Sequence, residues 1–213
     1  MDKKVECLLE SIKDGTVLHK IDYRIGLPLL VIGGAYTLAQ AFRPLKFMYR
    51  NFVRPRKNLF KRYGGGWVVV TGASDGLGLA YCKEFIRMGF HVALVGRNQA
   101  KLEKAQAEVE ECKAAGSNAL TKTIVFDFNV DYSPAAYEPL FTQLDQLGDI
   151  SVFVNNVGVS HYEPLHEQPD ECVMDMMRTN MLPQVFCSRY ALNKMMKRST
   201  RSAIVNVSSI SAF

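Results

Sequence analysis

The sequence predicts an α/β fold, a doubly wound parallel sheet, behind an N-terminal apolar helix of membrane-spanning length. Three observations carry this reading. From Trp67 onward, short apolar runs alternate with stretches of helical spacing. A glycine-rich turn, Gly72 to Gly78, joins the first apolar run to the first helical stretch. Ahead of both lies Ile25 to Phe42, eighteen residues without a charge.

A chain of 213 residues fits one domain with an appendage. Hydrophobic residues at 48% and charged residues at 22% supply enough apolar surface for a core and exclude wholesale disorder. The net charge of +5 is uneven. Arg43, Lys46, Arg50, Arg54, Arg56, Lys57, Lys61 and Arg62 form an acid-free basic stripe, which leaves the rest of the chain at a net −3. A mildly acidic domain with one such stripe is not expected to bind nucleic acid. Phe42, Phe47, Tyr49 and Phe52 lie in the same stripe, and basic and aromatic residues beside an apolar run read as a membrane–water interface. The five cysteines, Cys7, Cys82, Cys112, Cys172 and Cys187, are odd in number and widely spaced. That excludes a disulfide framework or a zinc site and favours a reducing compartment. His161 and His166 read as loop residues rather than metal ligands.

The elements follow in order. Residues 1–24 form a polar leader with five acids. Residues 25–42, at 1.5 Å per residue, would make a helix of about 27 Å, enough for a thin bilayer such as that of the endoplasmic reticulum. Pro28, Gly33, Gly34 and Gln40 weaken the segment as a span. It also reads as an interfacial or re-entrant hairpin, or, with Ala39-Gln40-Ala41, as a cleavable signal peptide. Lys and Arg number five before it and eight close after it, so the positive-inside rule puts the C-terminal domain in the cytosol. Residues 43–66 read as a basic juxtamembrane linker, closed by a flexible joint at Gly64-Gly65-Gly66. Expected strands are Trp67–Thr71, His91–Val95, Thr121–Phe126, Ile150–Val154 and Ala203–Val207, each nearly continuous in apolar residues, as parallel strands buried on both faces are. Expected helices are Gly76–Met88, Gln99–Ala115, Pro134–Leu147 and Asp170–Lys197, the last as two helices. This β-α-β alternation is what dictates the doubly wound sheet.

The turn Gly72-Ala73-Ser74-Asp75-Gly76-Leu77-Gly78 sits between a β run and an amphipathic helix in the first βαβ unit. Its glycines allow positive φ and close approach of backbone amides to a diphosphate, and the helix N-terminus adds favourable partial charge. In that position the pattern is a strong sign of dinucleotide binding.

The spacing T-G-x-x-x-G-x-G resembles that of the short-chain dehydrogenase/reductase family, and the later motifs come in the family's order from Tyr63 to the last residue. The resemblance implies that residues 67–213 are a Rossmann-like NADPH-binding domain, incomplete at its C-terminal end. The second strand leads into Arg97, where an NAD-selective site would place an acid. An arginine there can fork onto a 2′-phosphate, with Ser74 adding a hydroxyl, so NADPH is expected over NADH. Arg97 also reads as a solvated residue at a helix start. Asp127 resembles the family's adenine contact, and an Asp capping the next turn is an equal reading.

Asn155-Asn156-Val157-Gly158 resembles the family's N-N-A-G, in which the backbone at Val157 and Gly158 passes close to the cofactor ribose. Asn180 matches a family asparagine that bends a helix and holds a water in a proton relay. Ile204-Val205-Asn206-Val207-Ser208-Ser209 resembles I-x-N-x-S-S, which makes Ser209, or failing it Ser208, the serine that orients the substrate carbonyl. The family's Y-x-x-x-K belongs about a dozen residues further on, and only four residues follow Ser209. Tyr190-x-x-x-Lys194 has the pattern in the wrong place and reads as coincidence. As written, the chain is therefore expected to be a fragment without turnover.

Tyr63-Gly64-x-x-Trp67, Val-Val-Thr-Gly-Ala-Ser-Asp-Gly-Leu-Gly, Ala80-Tyr81 and Asn-Asn-Val-Gly-Val-Ser look like the branch of very-long-chain 3-oxoacyl-CoA reductases and steroid 17-beta-dehydrogenases. The resemblance implies a small lipophilic carbonyl substrate, an endoplasmic reticulum membrane location and, for the full-length form, a homo-oligomer. The two extra glycines before Trp67 and the basic run Lys194, Lys197, Arg198, Arg201 depart from that branch. A non-catalytic NADPH-binding scaffold is the alternative.

Overall fold

The computed structural model describes residues 23–55 and 57–209. The polar leader lies outside the described residues except for its last two positions. The chain divides into two compact units between positions 56 and 57.

In the first unit, helix α1 (Tyr23–Met48) continues into a π-helical turn, Tyr49–Val53. The helix thus passes the expected end at Phe42 and takes in the first part of the basic stripe, whose Leu, Lys and Met residues are good helix formers. It stops where Pro55 holds Arg54 extended (φ −63°, ψ 126°). Ile25–Val53 is long and apolar enough to cross a membrane, and none of it is buried. Polar groups along it are satisfied locally: the Thr37 hydroxyl donates to Gly33 O and Gly34 O, and the Asn51 amide donates to Phe47 O.

The second unit opens with α2 (Leu59–Tyr63), capped by Asn58, whose side chain accepts from Lys61 N at 2.9 Å. The glycines that follow are a correction to the expected flexible joint. Gly64, Gly65 and Gly66 all have positive φ, at 73°, 72° and 89°. Gly65 N donates to Phe60 O, Gly66 O accepts from His91 N, and a Cβ on Gly66 would lie 2.7 Å from Asp149 O. Three left-handed residues locked by such contacts make a fixed turn. It belongs to the second unit, so the basic linker expected over 43–66 does not exist as one segment.

Among the described residues, five strands form one parallel sheet: β1 (Trp67–Thr71), β2 (His91–Gly96), β3 (Thr121–Val125), β4 (Ile150–Asn155) and β5 (Ala203–Asn206). Their order is β3-β2-β1-β4-β5. Between them run α3 (Gly76–Arg87), α4 (Gln99–Glu110), α5 (Glu138–Asp145), α6 (Asp170–Met176) and α7 (Leu182–Met195). Side chains alternate faces along each strand. Val68, Val70, Val92, Leu94, Val152 and Val154 pack with Cys82 and Ile86 of α3 and Leu102 and Val109 of α4. Val69, Ala93, Val95 and Phe153 pack with Leu140 and Leu144 of α5 and Cys187 and Ala191 of α7. The sheet is therefore buried on both faces, which explains why its strands read as continuous apolar runs.

The stretch expected as two helices at 170–197 is α6, a π-helical turn at Met177–Met181, and α7. Pro183 has no amide to return to Thr179 O, and the ladder widens there, with Leu182 N donating to Met177 O. Asn180 sits on this turn.

Candidate functional site

After β3 the chain crosses to the far side of β1, so the strand order reverses between β1 and β4 and the strand ends part there. A cleft of about 430 Å³ opens at that point, along the C-terminal edge of the sheet. Its floor is the turn after β1. Gly72 adopts φ +63°, and a Cβ on it would approach Val157 Cα to 2.9 Å. Gly76 adopts φ +55° with nothing within 4 Å of where a Cβ would stand, so its α-carbon faces open space. Asp75 caps α3, its side chain accepting from Gly76 N at 2.7 Å. The amides of the first helical turn have no partner inside a helix, and the aligned peptide dipoles favour an anion there. Gly78 does a different job. A Cβ on it would lie 2.2 Å from Gly72 O and 2.7 Å from Asn156 Nδ2, so glycine lets the helix sit against the strand end.

Two residues hold the cleft's sides in register. The buried Thr71 hydroxyl accepts from Asn156 N and Val157 N and donates to Val154 O, which uses its whole hydrogen-bonding capacity. Asn156 Nδ2 donates to Thr71 O and Gly72 O, both at 3.1 Å. Arg97, at the end of β2, is exposed in the cleft wall and takes part in no ion pair among the described residues. Asp127 Oδ1 accepts from Asn129 N in a turn after β3 while its residue also lines the cleft.

The structure therefore gathers Gly72, Ser74, Asp75, Gly76, Arg97, Asp127, Val157 and Gly158 around one cavity. Leu77, Gly78, Asn155, Asn180 and Ser209 are not in its lining. Leu77 points outward at 64% exposure. Asn155 is buried below the cleft, its Nδ2 donating to Ser188 Oγ and Asn206 Oδ1, so its side chain ties β4 to β5 and α7 instead of facing a ligand. The Asn180 side chain accepts from Val159 N at 2.8 Å and donates to Val159 O at 2.9 Å, pinning the loop that leaves β4. Ser208 and Ser209 are exposed just beyond β5, on the same sheet edge. Thr179 is a site residue that the sequence does not mark, and Thr71 and Asn156 are marked by it only within the T-G-x-x-x-G-x-G and Asn155–Gly158 motifs. Thr179 is buried in the cleft wall with no hydrogen-bond partner for its hydroxyl among the described residues, and nothing in its sequence context marks it.

Tyr190 and Lys194 lie elsewhere. Tyr190 OH donates to Asp145 Oδ1, Lys194 Nζ is 2.7 Å from the same oxygen, and the Tyr190 ring stacks on Phe141 at 4.4 Å. Burial and the Asp145 carboxylate push the Tyr190 hydroxyl upward in pKa, opposite to what proton transfer near neutrality requires. Asp145 ends α5 shortly before β4 begins, so this latch is at the sheet edge opposite the cleft. Among the described residues no group of His, Cys, Asp and Glu could hold a metal ion.

The model of the short chain dehydrogenase family matches residues 66–213. The chain belongs to the short-chain dehydrogenase family. This short-chain dehydrogenase is 37% identical over 189 residues to the very-long-chain 3-oxoacyl-CoA reductase of Caenorhabditis elegans, covering 84% of the chain and 58% of that protein. It is 33% identical over 186 residues to the Rattus norvegicus reductase of the same name, covering 85% and 54%. L-Sorbose reductase from Gluconobacter frateurii, solved with NADPH and L-sorbose, is similar at TM-score 0.60 and 26% identity, over 70% of this chain and 54% of that one. The chain spans about half the length of the curated relatives it matches. A nicotinamide cofactor fits the glycine-floored cleft, the chemistry of the family and its solved neighbours.

Proposed function

We propose that this chain is the cofactor-binding part of an NADPH-dependent reductase of lipophilic ketones, a 3-oxoacyl-CoA in the first place and a steroid in the second. The carrying observation is the cleft itself: glycine-floored at a helix N-terminus, with Arg97 and no carboxylate where β2 ends. Amides of the Gly72–Gly78 turn would take the diphosphate, and Arg97 with Ser74 the 2′-phosphate. Asp127 would contact the adenosine, and the Val157 and Gly158 backbone would lie along a ribose. The bound cofactor would supply a hydride to the ketone carbon. Ser209 would donate a hydrogen bond to the carbonyl oxygen as charge develops there. Asn180 would keep the loop after β4 in place. Tyr190 is committed to Asp145 at the sheet edge opposite the cleft, so it is not the proton donor of this site.

The activity for which the relatives are named and the exposed apolar α1 support a lipophilic substrate and a membrane location. The charge bias about residues 25–42 supports a cytosolic domain at the endoplasmic reticulum. Calorimetric titration with NADPH, paired with NADPH-consumption assays on a 3-oxoacyl-CoA, tests this. The expected result is NADPH binding by the chain, with NADPH consumption on a 3-oxoacyl-CoA by the whole reductase. Absence of NADPH binding would sink the reading.

A further inference from the structure

The cofactor cleft leaves the end of α1 and its π-helical turn unexplained. From Asp22 to Asp75 the chain carries no intervening carboxylate, and eight Lys and Arg residues fall between Arg43 and Arg62. Arg43, Lys46 and Arg50 are spaced i, i+3 and i+7, which confines them to one narrow arc, with Arg50 two residues into the π-helical turn. Phe42, Leu45, Tyr49 and Val53, spaced i, i+3, i+7 and i+11, form an apolar row directly beside that arc. The two rows share a groove of about 780 Å³, in which Arg43 and Lys46 stand alongside Phe42, Leu45, Tyr49 and Val53. All of these side chains are exposed, and among the described residues none of the three cations has an ion-pair partner. The Arg43 guanidinium is held toward Gln40 Oε1 at 2.9 Å, a neutral acceptor that leaves its charge in place.

A groove with an apolar row on one side and unneutralised cations on the other matches an amphiphile with an anionic head. Its position next to the uncharged stretch 25–42 puts the cations at headgroup depth, whether that stretch crosses the bilayer or lies in its surface. We propose that Arg43–Val53 is a docking surface for anionic phospholipids, with the phosphate-bearing headgroup on Arg43, Lys46 and Arg50 and the acyl region along Phe42, Leu45, Tyr49 and Val53. The inference rests on the membrane reading of α1 and adds the lipid class.

Flotation of the full chain on vesicles tests it. One set is phosphatidylcholine alone, and the other contains about one third phosphatidylserine, enough to set up the surface potential of an anionic leaflet. The expected result is partition on the order of tenfold or more tighter into the anionic vesicles, an increment that shrinks as salt rises. The combined variant Arg43→Gln, Lys46→Gln, Arg50→Gln should bring the two partition coefficients within about twofold and still float on phosphatidylcholine. Equal partition of the native chain, or an undiminished increment in the triple variant, would overturn the proposal. Failure to float on either vesicle would overturn the membrane reading beneath it, a distinguishable outcome.

Discussion

Thr71 Oγ1 accepts the backbone amides of Asn156 at 2.9 Å and Val157 at 3.1 Å, and through them the end of β1 fixes the loop that leaves β4. The cleft exists because these two strand ends part in space while one hydroxyl keeps their backbones in register. Thr71→Val keeps the shape and removes the acceptor, leaving two half-buried amides unpaired. The expected cost is about 2–4 kcal/mol in urea unfolding, with Thr71→Ser within about 1 kcal/mol of the native chain. Equal stability of the valine and serine variants would mean that the clasp is incidental.

The two helix-start glycines should behave differently. A methyl at Gly78 meets Gly72 O at 2.2 Å, so Gly78→Ala must move backbone and should cost about 3 kcal/mol or more. A methyl at Gly76 meets nothing, and Gly76→Ala should cost only about 1–2 kcal/mol for its left-handed φ. Thermal melts of the two variants side by side provide the check, and a larger loss at Gly76 would contradict this division of roles.

The latch between α5 and α7 has a pH signature. Lys194 and Tyr190 hold the Asp145 carboxyl below the usual carboxylate range. A carboxyl whose pKa is lower in the folded than in the unfolded state adds stability above the unfolded value and loses it as pH falls through the folded one. The Asp145 side chain is 51% exposed, so the contribution is less than about 1 kcal/mol. Asp145→Asn should therefore cost that little at pH 7 and flatten the loss of stability below about pH 4. Parallel pH profiles for both proteins would rule out the latch as a contributor.

Much of this was legible in the residues. Continuous apolar runs such as Val68–Val70 and Val152–Val154 reveal strands covered on both faces, because burial on two sides removes the polar alternation. The glycine spacing places the cleft, because a left-handed turn and a close helix–strand contact tolerate few other residues. Side-chain direction was less legible. Asn155 and Asn156 are neighbours in one motif, yet the first ends β4 and the second begins the loop after it, so one knits strands under the cleft and the other closes its floor. Gly64–Gly66 read as a loose joint because glycine is chosen both for freedom and for a fixed positive φ, and only the contacts with Phe60 and Asp149 decide between them. Thr179 gave no signal, since its place in the cleft wall depends on a π-helical turn that no periodicity announces.

The thiols offer an independent check of the core. Burial pushes Cys82 and Cys187 up to about 12, while Cys112 and Cys172 are only half-buried. At pH 8 an alkylating reagent should label Cys112 and Cys172 in the native chain and reach Cys82 and Cys187 only in denaturant. Peptide mapping by mass spectrometry reads this directly. Native-state labelling of Cys82 would mean that α3 does not pack on β1 and β2 as described.

Under the proposed function, Arg97 holds a 2′-phosphate at the mouth of the cleft. The decisive measurement is calorimetric titration of NADPH and NADH into the native chain and into Arg97→Asp. A lost charge-assisted contact of about 1.5–3 kcal/mol predicts at least about tenfold preference for NADPH in the native chain, abolished or reversed in the variant. Equal affinity of the native chain for the two cofactors, or a preference that survives the substitution, would contradict it.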